Sequence, residues 1–231
     1  MVKYKFAVIG LGVFGNSIAR TLAERGAEVL AMDVDEDHVE DIKDDVAYAV
    51  ALDATDLRAL EAQNLQELDA VVVAIGEDFE ALLITTANLQ ELNIKRIITR
   101  ASNKQQRRIL EKMGVKEILS PEGEVGKTVA ERLLQPSIRT FLPLPDNYEI
   151  VEINTPRAVA NKSIAAISLR EKYNLNMITI KRFFEEIQDG KPTLVEHIIG
   201  VPKADTVIYS TDILILIGKK QDVKRFIEVN R

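Results

Sequence analysis

The sequence predicts an α/β protein: a Rossmann-like, doubly wound parallel sheet of six strands, followed by a small α+β C-terminal domain. Three observations lead to this prediction. A glycine-rich turn joins the first apolar run to a helical pattern, and five further apolar runs alternate with helical segments up to about residue 135. Three prolines then end the alternation. Strands that alternate with helices typically form parallel sheets with helices on both faces.

The first strand and the first helix flank the motif G-x-G-x-x-G. Residues 6–9 form a short apolar run, typical of a strand that is buried on both faces. Apolar residues at helical spacing over 14–22 predict a helix, which Gly26 is placed to end. A second apolar strand over 28–32 then leads into Asp33.

This order of strand, glycines, helix, strand and acid is the context in which the motif binds nucleotides. Gly10 allows a tight turn, Gly12 lets the backbone approach a phosphate, and Gly15 lets the helix pack close to the sheet. The helix N-terminus presents unpaired N–H groups to a diphosphate. Asp33 can accept hydrogen bonds from both ribose hydroxyls, and it would repel a 2′-phosphate, which disfavours NADP. The alternative is a domain that keeps the glycines for packing and binds nothing.

The alternation of strands and helices continues beyond Asp33. The expected elements are a helix capped by Asp35 and ending near Asp44, strand 46–52, helix 57–64 capped by Thr55 or Asp56, strand 69–75, helix 79–92, strand 95–100, helix 104–113 ended by Gly114, strand 115–119, and a helix from Pro121 to about Leu134. Ligands of such sheets bind beyond the carboxyl ends of the strands, next to the first strand.

The strand ends and the residues beside them therefore define a candidate nucleotide site. Its residues are Gly10, Leu11, Gly12, Val13, Phe14, Gly15, Asp33, Val34, Asp53, Ala54, Thr55, Ala74, Ile75, Gly76 and Arg100. We expect Asp53 and Thr55 near an adenine edge. The alternative is that they only cap the helix that follows, and both interpretations can hold together.

The prolines at positions 136, 143 and 145 predict a domain boundary. We expect a nucleotide-binding domain over 1–135, a linker over 136–146 and a C-terminal domain over 147–231. The elements expected in the last domain are strand 148–153, helix 163–173, strand 175–182, a polar turn at 189–190, strand 212–217 and a helix from 221. Its expected core, made of Leu175, Met177, Ile178, Ile180 and 213–217, is small, so pairing with a second copy is expected.

Composition excludes several functional classes. The net charge of −6 disfavours binding to nucleic acid and therefore a repressor function. The absence of cysteine excludes disulfides, thiolate nucleophiles and cysteine-ligated zinc. No apolar run approaches the ~20 residues of a membrane span, so a membrane role is expected to come through a partner.

The chain offers no recognisable catalytic group. It has two histidines, His38 and His197, and neither has a nearby orienting partner in the sequence. Arg100 is a candidate phosphate ligand or a surface ion-pair partner. Glu122 is a candidate ligand of a cation or nucleotide, or an acid placed at a helix N-terminus for dipole reasons alone. A complete nucleotide site without a chemical site favours sensing, and an NAD(H)-dependent oxidoreductase is the alternative.

Six segments together resemble one protein family. They are FAVIGLGVFGNSIARTLAERGAEVLAMDVDEDHV, ALDATD, DAVVVAIG, SPEGEVG, NKSIAAISLREKYNLNMITIKR and TDILILIGKKQDVKRF. They resemble the RCK (potassium-conductance-regulating) subunits of bacterial Trk/Ktr potassium-uptake systems, specifically the Ktr type. The resemblance covers nearly the whole chain, whereas the N-terminal motifs alone are shared with dehydrogenases.

The resemblance implies a non-catalytic cytoplasmic subunit that gates an integral-membrane potassium-translocating subunit. Such a subunit lies at the inner face of the cell membrane through its partner. The resemblance also implies a homodimer that assembles into an octameric ring, whose shape is switched by nucleotides. ATP and ADP are the implied ligands, with NAD(H) in some members.

The resemblance also assigns roles to residues of this chain. The three glycines of the motif would hold phosphates, and Asp33 would hold the ribose. The segments 53–55 and 74–76 would line the base and ribose side. Arg100 would contact phosphate, and Glu122 would bind Mg²⁺ or Ca²⁺ at the terminal phosphates.

One position departs from the family, and one assignment concerns the second domain. Many members carry a basic residue that senses the last phosphate at the position of Val13. Valine there weakens the case for ATP-versus-ADP discrimination and favours a dinucleotide or diphosphate. In some relatives the C-terminal domain binds cyclic di-AMP between two subunits, and Arg170 stands where a contacting arginine is expected. The alternative is an arginine on a helix surface.

Overall fold

The structure is a computed structural model that describes residues 4–134, 136–188 and 191–231. Two compact units make up the chain, residues 1–126 and residues 127–231. In the described ranges, no helix is both long and apolar enough to span a membrane. Each unit is built around its own sheet.

The first unit contains a parallel sheet of six strands. The strands are β1 (Lys5–Ile9), β2 (Glu28–Asp33), β3 (Tyr48–Ala51), β4 (Ala70–Val73), β5 (Ile97–Arg100) and β6 (Glu117–Leu119). The helices are α1 (Val13–Glu24), α2 (Glu36–Ile42), α3 (Leu57–Glu61), α4 (Phe79–Glu91), α5 (Lys104–Lys112) and α6 (Pro121–Leu134), the last of which continues past residue 126. The strand order β3-β2-β1-β4-β5-β6 reverses direction between β1 and β4, and all neighbouring strands are parallel. The predicted doubly wound sheet is confirmed.

Local sequence signals begin and end the helices of this unit. Asp35 caps α2, and its side chain accepts a hydrogen bond from the backbone N–H of Asp37. Asp78 caps α4 in the same way. Gly26 and Gly114 follow α1 and α5 with φ values of +87° and +85°, which L-residues with side chains rarely adopt.

Apolar side chains cover both faces of the parallel sheet. The strands β1 and β4 are central and almost continuously buried, as expected for a parallel sheet with helices on both sides. One cluster packs around Ile9, Met32 and Leu89, and another packs around Val8, Val29 and Ile42. The two clusters hold the carboxyl ends of the strands at one edge.

The second unit is an α+β domain with an antiparallel sheet. Its strands are β7 (Ile138–Pro143), β8 (Tyr148–Asn154), β9 (Lys162–Ser163), β10 (Asn176–Gln188), β11 (Lys191–Ile198), β12 (Val207–Ile208) and β13 (Ile213–Lys219). Its helices are α7 (Ile164–Ile167), α8 (Leu169–Tyr173) and α9 (Lys220–Val229). The main sheet has the order β11-β10-β13-β8-β7, and β9 pairs with β12 separately. The buried side chains of Val223, Phe226 and Ile227 from α9 belong to the core of this unit.

The second unit differs from the expected elements in several places. The expected helix 163–173 is wrong, because Ser168 adopts a left-handed conformation (φ 53°) and separates α7 from α8. Ile178 is 40% exposed and does not belong to the core. The stretch 136–146 contains β7, which pairs with β8. The domain boundaries expected at 135 and 147 stay a prediction, and the expected turn at 189–190 lies outside the described residues.

Candidate functional site

A crevice of about 1060 Å³ opens at the carboxyl edge of the parallel sheet, where the strand order reverses. Its lining includes Ile9, Gly10, Gly12, Val13, Phe14, Ser17, Asp33, Val34, Asp35, His38, Leu52, Asp53, Ala54, Thr55, Ala74, Ile75, Gly76, Glu77, Asp78, Ala81, Thr85, Arg100, Pro121, Glu122 and Val125. All of these residues belong to the first unit. The structure therefore brings the strand ends together as the topology predicts.

The glycines of the motif shape the turn that enters the crevice. Gly10 has a φ of +90°, and a Cβ there would lie 2.9 Å from the backbone N of Ile75. A Cβ on Gly15 would overlap the carbonyl oxygen of Gly10, so α1 packs directly on the turn. A Cβ on Gly12 would meet nothing within 4 Å. The open space beside Gly12 is where a bound group can approach the backbone.

The N-terminus of α1 faces this open space without a side chain that would neutralise it. Gly12 is the N-cap residue, and the first turn contains no acidic residue. The backbone N–H of Asn16 donates to the carbonyl of Gly12 at 2.9 Å, so the amides before Asn16 have no carbonyl partner within the helix. Val13, the first residue of α1, is 95% exposed. These amides and the helix dipole form a preorganised anion site.

Asp33 links the turn to the end of β2. Its Oδ2 accepts a hydrogen bond from the backbone N–H of Leu11, and its Oδ1 accepts one from the N–H of Asp35 at 2.9 Å. The Nδ1 of His38 lies 3.4 Å from Oδ2. Each carboxylate oxygen can accept about two hydrogen bonds, so Oδ1 retains capacity for a ribose hydroxyl, and Oδ2 retains it when His38 does not donate to it. The turn amides hold the carboxylate in a fixed orientation at the crevice.

Asp53 and Thr55 form a small hydrogen-bonded turn after β3. Asp53 Oδ1 accepts from the backbone N–H of Thr55 at 2.9 Å and from its hydroxyl at 2.6 Å. These bonds hold the pKa of the Asp53 carboxyl below its usual range. The cap of α3 is Asp56, which accepts from the N–H of Arg58. The alternative that Asp53 and Thr55 only cap this helix is therefore wrong.

Arg100 ends β5 and lies across the wall that Gly76 forms. A Cβ on Gly76 would lie 3.0 Å from the Arg100 Cζ atom, so a side chain there would displace the guanidinium from its present position. The Arg100 Cζ also lies 5.6 Å from the centre of the Phe14 ring, which places the guanidinium beside the first turn of α1. Arg100 Nη2 donates to Glu122 Oε1 in the first turn of α6.

The lining of the crevice is strongly acidic. Its carboxylate residues are Asp33, Asp35, Asp53, Glu77, Asp78 and Glu122, and Arg100 is the only Lys or Arg among the described residues that line it. Within the described part of the chain, no group of three or more His, Cys, Asp or Glu side chains could hold a metal ion. A cation at Glu122 would therefore need further oxygen ligands from a bound molecule, and phosphate oxygens are suitable ligands for Mg²⁺ or Ca²⁺.

Two polar atoms of the crevice lining are buried and lack a partner among the described residues. They are the hydroxyl of Thr85 and the Nε of Arg100. Unpaired buried polar groups are costly and often mark a place where a ligand or water binds. Together with the open space and the unpaired α1 amides at Gly12, they give the crevice an excess of hydrogen-bond donors, which suits a polar ligand with an anionic end.

The structure places most predicted site residues in the crevice lining and adds others. Leu11 and Gly15 do not line the crevice: the Leu11 side chain is buried and its amide holds Asp33, while Gly15 packs against the turn. Sequence reasoning assigned no role in the crevice to His38 or Glu77. His38 could have been found from its place in the first turn of α2, five residues after Asp33.

The remaining candidates lie in the second unit. His197 is exposed on β11, and its Nε2 lies 2.8 Å from Glu186 Oε1. Arg170 lies on α8, where its Nε donates to Asn176 Oδ1 at 2.8 Å. Both arrangements are surface contacts between neighbouring elements.

Comparison with known proteins gives consistent matches over both units. Residues 6–121 match the model of the TrkA-N domain, and residues 148–230 match that of the TrkA-C domain. The chain is 37% identical over 225 residues to Ktr system potassium uptake protein C of Bacillus subtilis (strain 168), covering 97% of this chain and 96% of that protein. It is 34% identical over 222 residues to Ktr system potassium uptake protein A of the same strain, covering 96% and 95%.

A solved structure supports the fold. The GsuK RCK domain superimposes with a TM-score of 0.63 and 16% sequence identity, covering 99% of this chain and 48% of that one. At this identity the likeness shows the fold alone, and this chain spans about half of the solved GsuK chain. Because both domain models match in order and the Ktr relatives align over nearly their full length, the chain belongs to the family of RCK-type potassium uptake proteins of the Trk and Ktr systems.

Proposed function

We propose that this chain is a non-catalytic regulatory subunit that gates a membrane potassium-uptake transporter in response to adenine nucleotides. The observation that carries the proposal is the crevice, where an exposed helix N-terminus, a glycine turn and the fixed carboxylate of Asp33 converge. The full-length similarity to Ktr potassium uptake proteins supports the transporter role.

The ligand is an adenosine diphosphate or triphosphate held by residues of the first unit. The amides at the start of α1 bind the phosphates, with Gly12 allowing close approach, and Asp33 accepts the ribose hydroxyls. The turn at Asp53 and Thr55 lies on the base side. Arg100 contacts a phosphate, and Glu122 contributes one ligand to a divalent cation at the terminal phosphates.

A divalent cation would reduce the charge repulsion between a nucleotide and the acidic lining of this crevice. An anionic nucleotide meets six carboxylates in the lining and only one guanidinium. Because like charges repel at short range, a cation held by Glu122 would offset part of this repulsion. Binding is therefore expected to strengthen with Mg²⁺ or Ca²⁺, and more for ATP than for ADP.

Nucleotide identity acts on the partner by shifting a conformational equilibrium, which requires different affinities for the two states. Glu122 lies in the first turn of α6, and α6 continues beyond residue 126, so it is the natural element to transmit the change. The subunits form dimers within an octameric ring at the cytoplasmic face of the membrane, bound to an integral-membrane potassium-translocating subunit. A cyclic di-AMP site at Arg170 stays a prediction.

Calorimetric titration tests the proposal. The purified chain is titrated with ATP, ADP, NAD and NADH, with and without magnesium, and Asp33→Asn serves as the variant. We expect ATP and ADP to bind, ATP to gain from magnesium, and Asp33→Asn to weaken both by at least tenfold, because it removes a charged acceptor of two hydroxyls. Absence of nucleotide binding by the wild-type chain would refute the nucleotide role.

The transporter role needs a separate measurement. The chain and its variants are co-expressed with a Ktr-type membrane subunit in cells that lack their own potassium uptake. We expect growth at low potassium to depend on the wild-type chain and to fall with Asp33→Asn. Equal growth with and without the chain would contradict gating.

An NAD(H)-dependent oxidoreductase is the second candidate. The observation that favours it is Asp33, which suits the unphosphorylated ribose of NAD as well as that of ADP. Binding of NADH alone, followed by sustained NADH production from a substrate, would support this alternative. Binding of NAD or NADH without any production of NADH from a substrate would exclude it.

A further inference from the structure

The crevice contains an ion pair between two residues to which the proposed function assigns opposite charges of the ligand complex. Arg100 is expected to meet a phosphate, and Glu122 is expected to meet a cation. In the structure the Nη2 of Arg100 donates to Oε1 of Glu122 instead. In this ion pair, Glu122 engages the guanidinium that would contact the phosphate, and Arg100 engages the carboxylate that would bind the cation.

The surroundings hold the guanidinium in place for either partner. Gly76 leaves room on one side, with Cζ 3.0 Å from the position of a Cβ, and the Phe14 ring lies 5.6 Å away. The Arg100 side chain is only 20% exposed, whereas that of Glu122 is 53% exposed. The buried Nε has no partner among the described residues. Arg100 is thus the fixed member of the pair, and Glu122 is the member that can leave.

We propose that Glu122 competes with the nucleotide phosphate for Arg100, and that a divalent cation removes this competition by binding Glu122. This inference rests on the proposed function and adds its regulation. Without a cation, a diphosphate must displace the Glu122 carboxylate from Arg100, the only guanidinium among the described lining residues. The other five carboxylates of the lining add to the repulsion of the phosphate. With a cation, Glu122 would contribute a carboxylate ligand to it, and Arg100 would then be free to donate to the phosphate.

The competition gives this chain a way to sense a phosphate although Val13, in the first turn of α1, cannot contact it with a charge. Val13 is apolar and exposed and supplies no charge. Arg100 is then the side chain that can read the phosphate end, and its availability depends on Glu122. By thermodynamic linkage, the cation must strengthen nucleotide binding by the same factor by which the nucleotide strengthens cation binding.

The test compares two carboxylates of the same crevice in the absence of divalent cations. The variants are Glu122→Gln and the matched control Glu77→Gln, which removes an exposed lining carboxylate that has no assigned role. ADP binding is measured by calorimetry in EDTA. We expect Glu122→Gln to bind ADP about fivefold tighter than the wild type, at the upper end of what an exposed ion pair contributes. Glu77→Gln changes the affinity less than twofold by screened repulsion alone.

Two further measurements complete the test. Magnesium is expected to strengthen ADP binding by the wild type and Glu77→Gln but not by Glu122→Gln. In an Arg100→Gln background, Glu122→Gln is expected to give no increase in ADP affinity, because there is then no guanidinium for which Glu122 and the phosphate compete. Thermal unfolding of each variant verifies that the fold is retained.

The possible results separate this inference from the proposed function. Equal cation-free affinities of Glu122→Gln and Glu77→Gln would overturn the competition, while nucleotide binding by the wild type would still support the proposed function. A gain from Glu122→Gln that persists in the Arg100→Gln background would also overturn it, because it would show direct repulsion of the phosphate. Failure of the wild type to bind any nucleotide would overturn both proposals.

Discussion

The glycines of the turn differ in what an added methyl group would meet, which gives a paired prediction. At Gly15 a Cβ would overlap the carbonyl oxygen of Gly10, and it would also lie 3.0 Å from the Gly10 carbonyl carbon and 3.1 Å from the Ala74 Cβ. The turn and β4 both belong to the sheet core, so α1 must move outward by about 1 Å to admit the methyl group. At Gly12 a Cβ would meet nothing within 4 Å.

The expected cost of Gly15→Ala follows from this overlap. Forcing a methyl group into packed surroundings costs about 1–3 kcal/mol, and contact with backbone on one side places this case near 3 kcal/mol. For a unit of this size that corresponds to a fall in Tm of roughly 10 °C. Gly12→Ala is expected to change stability by less than about 0.5 kcal/mol. Alanine is the poorer N-cap residue, but it also restricts the unfolded chain, and the two effects nearly cancel.

For nucleotide affinity we expect the direct effect at Gly12 and not at Gly15. The methyl group of Gly12→Ala stands between the amides of α1 and a phosphate. Losing one charge-assisted hydrogen bond there costs about 1.5–3 kcal/mol, which is roughly 10- to 150-fold in Kd. Thermal unfolding and ADP calorimetry on both variants are the assays. A stable Gly15→Ala protein, or unchanged ADP affinity in Gly12→Ala, would refute the assignment of packing to one glycine and binding to the other.

Three further predictions concern single side chains. Val13→Arg places a charge at the exposed start of α1 and is expected to raise ATP affinity about fivefold more than ADP affinity by calorimetry; equal gains would contradict it. Asp212→Ala leaves Arg182, which donates to both Asp212 oxygens at 2.8 and 2.7 Å, without its fully buried partner. We expect it to destabilise the second unit by about 3–5 kcal/mol in urea unfolding, and a loss below 1 kcal/mol would refute this. Burial raises the pKa of the Glu149 carboxyl, so the wild type loses stability as the pH rises through that pKa. The stability gain of Glu149→Gln over the wild type should therefore grow as the pH rises above the ordinary glutamate pKa of about 4.5 and level off above the raised pKa, and a constant difference would contradict the assignment.

Several features of the fold could be predicted because they depend on short stretches of sequence. The apolar runs of β1 and β4 must be buried whatever surrounds them, and the G-x-G-x-x-G motif lies within one strand–turn–helix unit. Asp35 also caps α2 through a bond two residues along the chain. Signals of this kind reach a few residues, so they survive in any tertiary context that keeps the element.

Other elements give no such signal. Strand β11 is almost entirely exposed and carries no apolar alternation, and it is a strand because it pairs with β10 along its whole length. Strand β7 contains Pro143 and lies at the edge of its sheet, where a missing N–H is tolerated. Pro143, one of the three prolines that suggested a linker, therefore lies in an edge strand. The break at Ser168 depends on a single left-handed residue that is not glycine.

The sequence by itself determined the class of the fold, the glycine turn and the acid at the end of β2. It also determined which strand ends face one crevice, because parallel strands carry their carboxyl ends to one edge. Only the tertiary structure decided that Arg100 pairs with Glu122 across 22 positions and that Asp212 is buried with Arg182. These pairings join separate elements, and their partners are chosen by distance and burial, which no local pattern of residues encodes.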